Sequence, residues 1–410
     1  MQKMNILQVN NHHEILGGSE RVYKETGRML ELNNHNVYYF STTENQNYHK
    51  KQNELIIFKK NYLKNNLFTN IINIPSFFYS FKNQNILDSF LNNQKIDVAH
   101  LHIFYGSLSN SILPSLRKYK IPIVMSVHEY KMLCPAYTFL NGANKICEKC
   151  KGKYFYNAIR YKCTKDSITL SSITALESYF RNLFTPYQKY ISHFIMVSNF
   201  IKDIHIKYLP QIKNKSSVLY NFVDLDKYNF SLKPTTKKIV YFGRLSKEKG
   251  LLTLIDTLKY IPHIQLDILG KGPLASQIKT LVNNEAPNIN ILGFKTGTEL
   301  REIIANAKFV VVPSEWYENN PMTIIESFAL GTPVIGSRIG GIPELVVEGK
   351  TGFLFEPFDS YSLKTVLLKS TDVHYDDYLK MRSNCRQFAE DKFNSKIYYE
   401  NLMKIYKSVL

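Results

Sequence analysis

Two apolar patterns alternate along the chain. Short runs that are apolar almost without interruption recur, separated by stretches whose apolar residues fall at helical spacing. Uninterrupted runs predict parallel strands covered on both faces, because a strand with one wet face alternates instead. Strands are predicted at residues 4–9, 36–40, 96–101, 121–127 and 193–197. A second series follows at 217–219, 238–242, 264–269, 290–292, 309–312, 333–336 and 353–355. Helical spacing marks residues 20–32, 251–260, 274–283, 299–305 and 322–330, with a helical tail from Tyr375. Such alternation predicts an α/β protein built on doubly wound, mostly parallel sheets. The pattern restarts after the polar stretch Leu232-Lys-Pro234-Thr-Thr-Lys-Lys. Two Rossmann-like units are therefore expected: 1–215, and 216–390 followed by a terminal helix at 391–410. Ligands are expected at the carboxyl ends of the strands, in a central cleft that the two units face.

Composition narrows the class. A 44% apolar chain of 410 residues with 18 glycines and 15 prolines is neither disordered nor collagenous. Five cysteines are too few for a disulfide scaffold. No run reaches the ~20 apolar residues of a spanning helix. The greasiest, residues 67–81, is broken by Asn70, Asn73, Pro75 and Ser76. The chain starts directly on a strand-like run with no signal-peptide pattern, so a soluble intracellular protein is expected. Its net charge of +18 is unevenly spread. Residues 1–220 hold 28 basic and 13 acidic side chains, against 24 and 21 in the remainder. Nucleic acid, an anionic membrane and acidic small molecules all suit a basic half, as does compositional drift. No nucleic-acid-binding signature accompanies the charge, so nucleic acid is not expected as a partner.

Three segments carry candidate chemistry. Gly17-Gly18-Ser19-Glu20 follows the first strand and opens a helix, where close backbone approach and free amides suit an anion. Ser19 is the expected N-cap; a plain strand-to-helix turn is the alternative. Next, Phe242-Gly243-Arg244-Leu245 runs to Lys249-Gly250, with two cations at the mouth of a strand, as a diphosphate would require. The bland alternative is a solvated basic loop. In the third, Glu318 precedes Asn320-Pro321-Met322-Thr323, an expected N-cap, first helical residue and exposed amides. Glu326 falls among Ile324, Ile325, Phe328 and Ala329, a carboxylate held near buried surface, for which sugar hydroxyls are suitable partners. An exposed glutamate on the polar face is the alternative there.

Together with Gly340-Gly341-Ile342-Pro343-Glu344, these motifs in this order and spacing resemble glycosyltransferase family 4, from Met4 to about Glu356. The resemblance implies the GT-B fold and a retaining, nucleotide-sugar-dependent transferase of the bacterial cell-surface polysaccharide type. By that resemblance Gly17, Gly18, Arg244 and Lys249 serve the donor diphosphate, and Glu326 the ribose hydroxyls. Glu318 stands beside the transferred sugar with the amides from Asn320 to Thr323, while Gly272 and residues 292–294 line the nucleobase site. His128 matches the first-domain histidine facing the reacting sugar. Many relatives carry Glu-Pro-Phe-Gly where this chain has Glu318-Asn-Asn-Pro321. The family needs no metal for catalysis, and its last helix usually crosses back to the first domain. The partners implied are a UDP- or GDP-sugar and a glycan or lipid-linked acceptor; the basic first half adds the anionic inner face of the cytoplasmic membrane as an expected partner, with compositional drift as the alternative. A sugar-nucleotide epimerase or phosphorylase of the same fold, or a non-catalytic basic membrane- or polymer-binding module, are the rivals.

Cys134, Cys147, Cys150 and Cys163 form C-x12-C-x2-C-x12-C inside a lysine-rich insertion at 130–170. Four cysteines around a central CxxC suit a structural zinc. Reduced buried thiols and a redox disulfide pair are the alternatives. Cys385 reads as a core residue.

Overall fold

The computed structural model describes residues 3–45, 47–58, 75–230 and 236–410. Residues 67–74 of the greasy run and the stretch around Pro234 lie outside them. Thirteen described strands form two sheets. The first contains β1 (Asn5–His12), β2 (Asn36–Thr43), β3 (Glu54–Phe58), β4 (Val98–Leu101), β5 (Ile123–Val127), β6 (His193–Met196) and β7 (Ser216–Val218), in the order β3-β2-β1-β4-β5-β6-β7. The second contains β8 (Ile239–Phe242), β9 (Leu266–Leu269), β10 (Ile289–Gly293), β11 (Phe309–Val312), β12 (Val334–Ser337) and β13 (Gly352–Phe355), in the order β10-β9-β8-β11-β12-β13. Every pairing within the two sheets is parallel. The apolar runs are the reason: β4, β5, β8, β9, β11 and β13 are buried at every position, which only a sheet covered on both faces allows.

The chain divides into one unit of residues 1–219 and 399–410 and another of residues 220–398. The expected boundary at 215/216 shifts because Ser216–Val218 hydrogen-bonds to β6 and so completes the first sheet instead of opening the second. The helical tail is two helices, Tyr375–Lys392 and Ser395–Val409. They break at Phe393, whose carbonyl accepts the Val223 amide at 3.0 Å and whose ring is fully buried. From Tyr399 the last helix joins the first unit, where Tyr399 Oη meets His35 Nε2 at 2.9 Å and Tyr406 Oη meets His100 Nδ1 at 2.7 Å. One strand, β3, is absent from the expectations. It is the half-buried sheet edge and adjoins a polar stretch, so its pattern is weak. No helix among the described residues is long and apolar enough to cross a membrane.

Candidate active site

Strand order in the second sheet reverses between β8 and β11, so the loops leaving these strands part and open a crevice at their carboxyl ends. Residues 243–250 form one wall and 313–321 the other. They touch at Gly250, whose φ is 67° and where a Cβ would lie 1.8 Å from the Pro313 carbonyl oxygen. Only glycine fits there. Beyond this contact Lys249 Nζ reaches Glu318 Oε1 at 2.6 Å, and Ser314 Oγ donates to the same oxygen at 2.6 Å. Glu318 is buried, which by itself pushes its carboxyl pKa up. The Lys249 charge and the hydrogen bonds outweigh burial and hold it below the ordinary range. Glu318 is therefore an ionised carboxylate. Its backbone is clamped as well: the Gly341 amide donates to Glu318 O at 2.7 Å, and a Cβ on Gly340 (φ 60°) would lie 2.3 Å from that oxygen.

This changes the reading of the two cations. Arg244 is exposed, with its carbonyl fixed by Tyr241 Oη at 2.7 Å. Lys249 is engaged with Glu318 and lies 5.0 Å from the Trp316 ring centroid. They are thus an exposed guanidinium and an ammonium paired with Glu318. The helix Met322–Ala329 starts one residue later than expected, with Pro321 as N-cap at φ −67° and ψ 121°. Asn320 does not cap because its Oδ1 accepts the Asn221 amide at 2.8 Å. Its Nδ2 is buried with no partner among the described residues. The Met322 and Thr323 amides remain the first of the helix and lack intrahelical acceptors. Glu326 is buried and accepts a hydrogen bond from Tyr228 Oη at 3.0 Å, so it is not a glutamate on a polar face. Gly272 packs on the Leu245 backbone, a Cβ there lying 2.3 Å from Leu245 O. Next to it Lys271 Nζ stands 4.5 Å from the centroid of the exposed Phe294 ring, at the ends of β9 and β10.

In the first unit the reversal falls between β1 and β4. Gly17, not Ser19, is the N-cap of the helix Gly18–Leu32, because its extended φ and ψ of −164° and −163° bring the chain in straight. Exposed Ile15 and Leu16 precede it. His128 leaves the end of β5 within a buried ladder that sequence reasoning missed. His128 Nε2 meets His102 Nδ1 at 2.9 Å, and His102 Nε2 meets Gln8 Oε1 at 3.1 Å. His100 lies 4.4 Å from His102, centroid to centroid, and bonds Ser126 and Tyr406. Since Gln8 Oε1 only accepts, His102 carries its proton on Nε2 and His128 donates from its own Nε2. Nδ1 of His128 is thereby an acceptor. Burial lowers the His128 pKa to about 4, so the ring is neutral at neutral pH. The adjacent Glu129 was also missed: burial raises its pKa to about 7, and its Oε1 has no partner among the described residues. The signals were available in the paired histidines of the otherwise apolar run Val98–Leu101 and its continuation to His102, and in an acid at the end of a buried strand.

Cys134 and Cys150 are buried and Cys147 and Cys163 half-buried, all as free thiols. Cys385 is buried against Thr351 O at 3.4 Å.

Residues 16–227, half of the chain, match the family model described as Glycosyltransferase Family 4. The chain belongs to glycosyltransferase family 4. Residues 224–391 match a second model, Glycosyl transferases group 1. An uncharacterised glycosyltransferase of Methanocaldococcus jannaschii is 32% identical over 182 residues, covering 43% of this family 4 chain and 48% of the relative. The amylovoran biosynthesis glycosyltransferase AmsK of Erwinia amylovora is 26% identical over 197 residues, covering 45% and 48%. The matched stretch thus spans about half the length of these curated relatives. A glycosyltransferase structure from Rickettsia africae superposes with a TM-score of 0.71 at 18% identity, over 100% of this chain and 99% of that one. Anabaena HepE, solved with UDP and glucose, superposes at 0.67 with 16% identity, over 99% and 100%. The fold is GT-B.

Proposed function

We propose that this family 4 protein is a retaining glycosyltransferase that moves a sugar from a UDP- or GDP-sugar to a hydroxyl of a glycan or lipid-linked acceptor in cell-surface polysaccharide assembly. The observation that carries this reading is the Lys249–Glu318 pair at the switch point of the second sheet, clamped by Gly340 and Gly341. Beside it stand a helix start and the unpartnered Asn320 Nδ2. An ionised carboxylate and amide donors suit sugar hydroxyls, while Lys249, Arg244 and the helix start suit a diphosphate. Glu326 and Tyr228 suit the ribose, and Phe294 with Lys271 the base. The relative named for amylovoran biosynthesis and the HepE structure holding UDP and glucose support the substrate class.

In the reaction the acceptor oxygen bonds to the sugar's anomeric carbon as the bond from that carbon to the diphosphate breaks. The electron pair leaves on the diphosphate, and the acceptor proton passes to it on the same face. The cations and helix amides stabilise the departing charge through groups already in place. Metal is not required by this scheme.

The basic first unit is proposed to dock on the inner face of the cytoplasmic membrane. Residues 115–215 carry 17 basic against 5 acidic side chains. Within this stretch the helix Ile168–Phe184 exposes Ile168, Leu176, Leu183 and Phe184. Binding to anionic but not neutral vesicles, lost at high salt, is the expected result; equal binding to both removes it.

A thermal-shift screen of nucleotide sugars, followed by nucleoside diphosphate release without acceptor, tests the main proposal. Glu318→Gln should abolish release, and Glu326→Gln should mainly weaken nucleotide binding. Donor epimerisation in place of release would favour the epimerase, and a chain that neither binds nor turns over any donor would favour the binding module.

A further inference from the structure

Between β5 and β6 the first unit carries an insertion, part of which packs around a cysteine. Cys150, Phe155 and Ala158 cluster with Ala175 of the next helix, with Ile159 and Cys163 packed against them. The same short segment holds seven of the eleven described non-glycine residues with positive φ: Tyr137, Phe139, Asn144, Lys151, Lys162, Lys165 and Asp166. So many left-handed positions in one short segment mark a chain held in tight turns.

Backbone hydrogen bonds bring the four cysteine segments together. The Tyr137 amide closes a turn on Cys134 O at 2.9 Å. Leu140 pairs with Ile146 in an antiparallel bridge, and the Cys147 amide reaches Phe139 O at 2.7 Å, which returns Cys147 to that turn. The Gly152 amide donates to Leu133 O at 3.0 Å, setting Cys150 beside Cys134. The Gly142 amide donates to Tyr161 O at 2.9 Å and ties the hairpin to the Cys163 segment. The fit at this last contact is close, since a Cβ on Gly142 would lie 2.8 Å from Tyr161 O and 2.9 Å from Lys162 O. All six pairs of sulfurs are near enough to interact electrostatically.

We propose that Cys134, Cys147, Cys150 and Cys163 bind one structural zinc ion as a tetrahedral tetrathiolate. Burial by itself pushes the Cys134, Cys150 and Cys163 thiols up, while amides of Ala136 and Phe139 at Cys134, Ala158 at Cys150 and Gly142 at Cys163 oppose it and can hydrogen-bond coordinated sulfurs. After Cys147-x-x-Cys150 the chain turns through Lys151 (φ 51°) and Gly152 (φ 71°), so the second cysteine sits at the head of a tight knuckle. Binding converts four thiols and one zinc dication into a doubly negative centre and releases four protons to solvent. Lys145, Lys149, Lys151, Lys153, Lys162 and Lys165 lie in the same insertion and offset that charge. Among the described residues no group of three His, Cys, Asp or Glu side chains is already arranged to hold an ion, so binding here requires the thiols to reorient.

The test is metal analysis of the full-length chain purified under reducing conditions. About one zinc per chain is expected, released by a thiol-blocking mercurial. Cys147→Ser and Cys150→Ser should each lose the metal, and Cys385→Ser should keep it. Should those variants fail to fold, cobalt exchange into the unaltered chain decides: strong visible absorption of tetrahedral cobalt thiolate supports the site. Zinc well below one per chain with four freely reactive thiols, a disulfide among them, or iron with inorganic sulfide overturns it. None of these outcomes depends on donor turnover, so this inference and the transferase reading fail separately.

Discussion

Glu129 should make the protein less stable as pH rises. Its carboxyl is buried next to His128, with Glu20 nearby, and burial moves its pKa from 4.5 to about 7 against the opposing pull of Tyr105 and Lys131. The folded state therefore holds this proton more tightly than the unfolded chain does. Stability from the retained proton is complete below the unfolded pKa and is lost as pH rises through the folded one. A tenfold change in proton affinity corresponds to about 1.4 kcal/mol, so keeping Glu129 ionised costs about 3 kcal/mol. Glu129→Gln removes the titration while preserving shape. Urea unfolding of both proteins across about pH 5 to 9 is the assay, read as the difference in midpoint because a chain of two units need not unfold in one step. The variant should gain on the wild type up to about pH 7 and hold a constant lead above it. Parallel curves at every pH would refute the reasoning, since they would mean that Glu129 has the same proton affinity folded and unfolded.

Lys249→Met leaves Glu318 buried without its counter-charge and should cost about 3–5 kcal/mol, whereas Lys249→Met with Glu318→Gln should recover most of that stability but no turnover. A double variant as unstable as the single one would show that the pair is not the source. His102→Phe removes the group that fixes the His128 tautomer, so kcat should fall roughly 10- to 100-fold with KM nearly unchanged; a change in KM alone would assign His102 to binding. Gly340→Ala forces a Cβ onto the Glu318 carbonyl at a left-handed position, and donor-free melting temperature and turnover should both drop. Unchanged values would mean that the Glu318 loop yields without cost.

The buried strands were legible because a sheet covered on both faces demands apolar residues at every position, as in Phe309–Val312. Edge strand β3 was not legible: only one of its five residues is fully buried, so it lacks the burial that marks the central strands. The glycines at 17, 18, 340 and 341 stood out as motifs, but what Gly340 presses against lies twenty-two residues away at Glu318, and spacing does not reveal it. The caps were misplaced by one residue at Asn320 and by two at Ser19. In each case the side chain suited capping, but the backbone took its cap elsewhere, with Asn221 claiming Asn320 and Gly17 adopting the extended geometry. His128 was found through the resemblance. Gln8 and His100 were not, because each sits inside an apolar strand run and looks like a single tolerated polar residue, and His102 follows just past the strand end.

By itself the sequence determined the α/β class, all but one of the strands of two parallel sheets and the identities of the charged residues at their ends, because periodicity and composition are local properties of the chain. Tertiary structure decided which of those charges meet. Lys249 and Glu318 are sixty-nine residues apart and become a 2.6 Å pair only because β8 and β11 are neighbours at the point where strand order reverses. Burial then sets their chemistry in opposite senses. Glu318 has a cation beside it and stays ionised, whereas Glu129 has no ion pair among the described residues and holds its proton to about pH 7. Two glutamates that look alike in the sequence differ because proton affinity depends on the solvent lost and the charge gained, and both are set by packing.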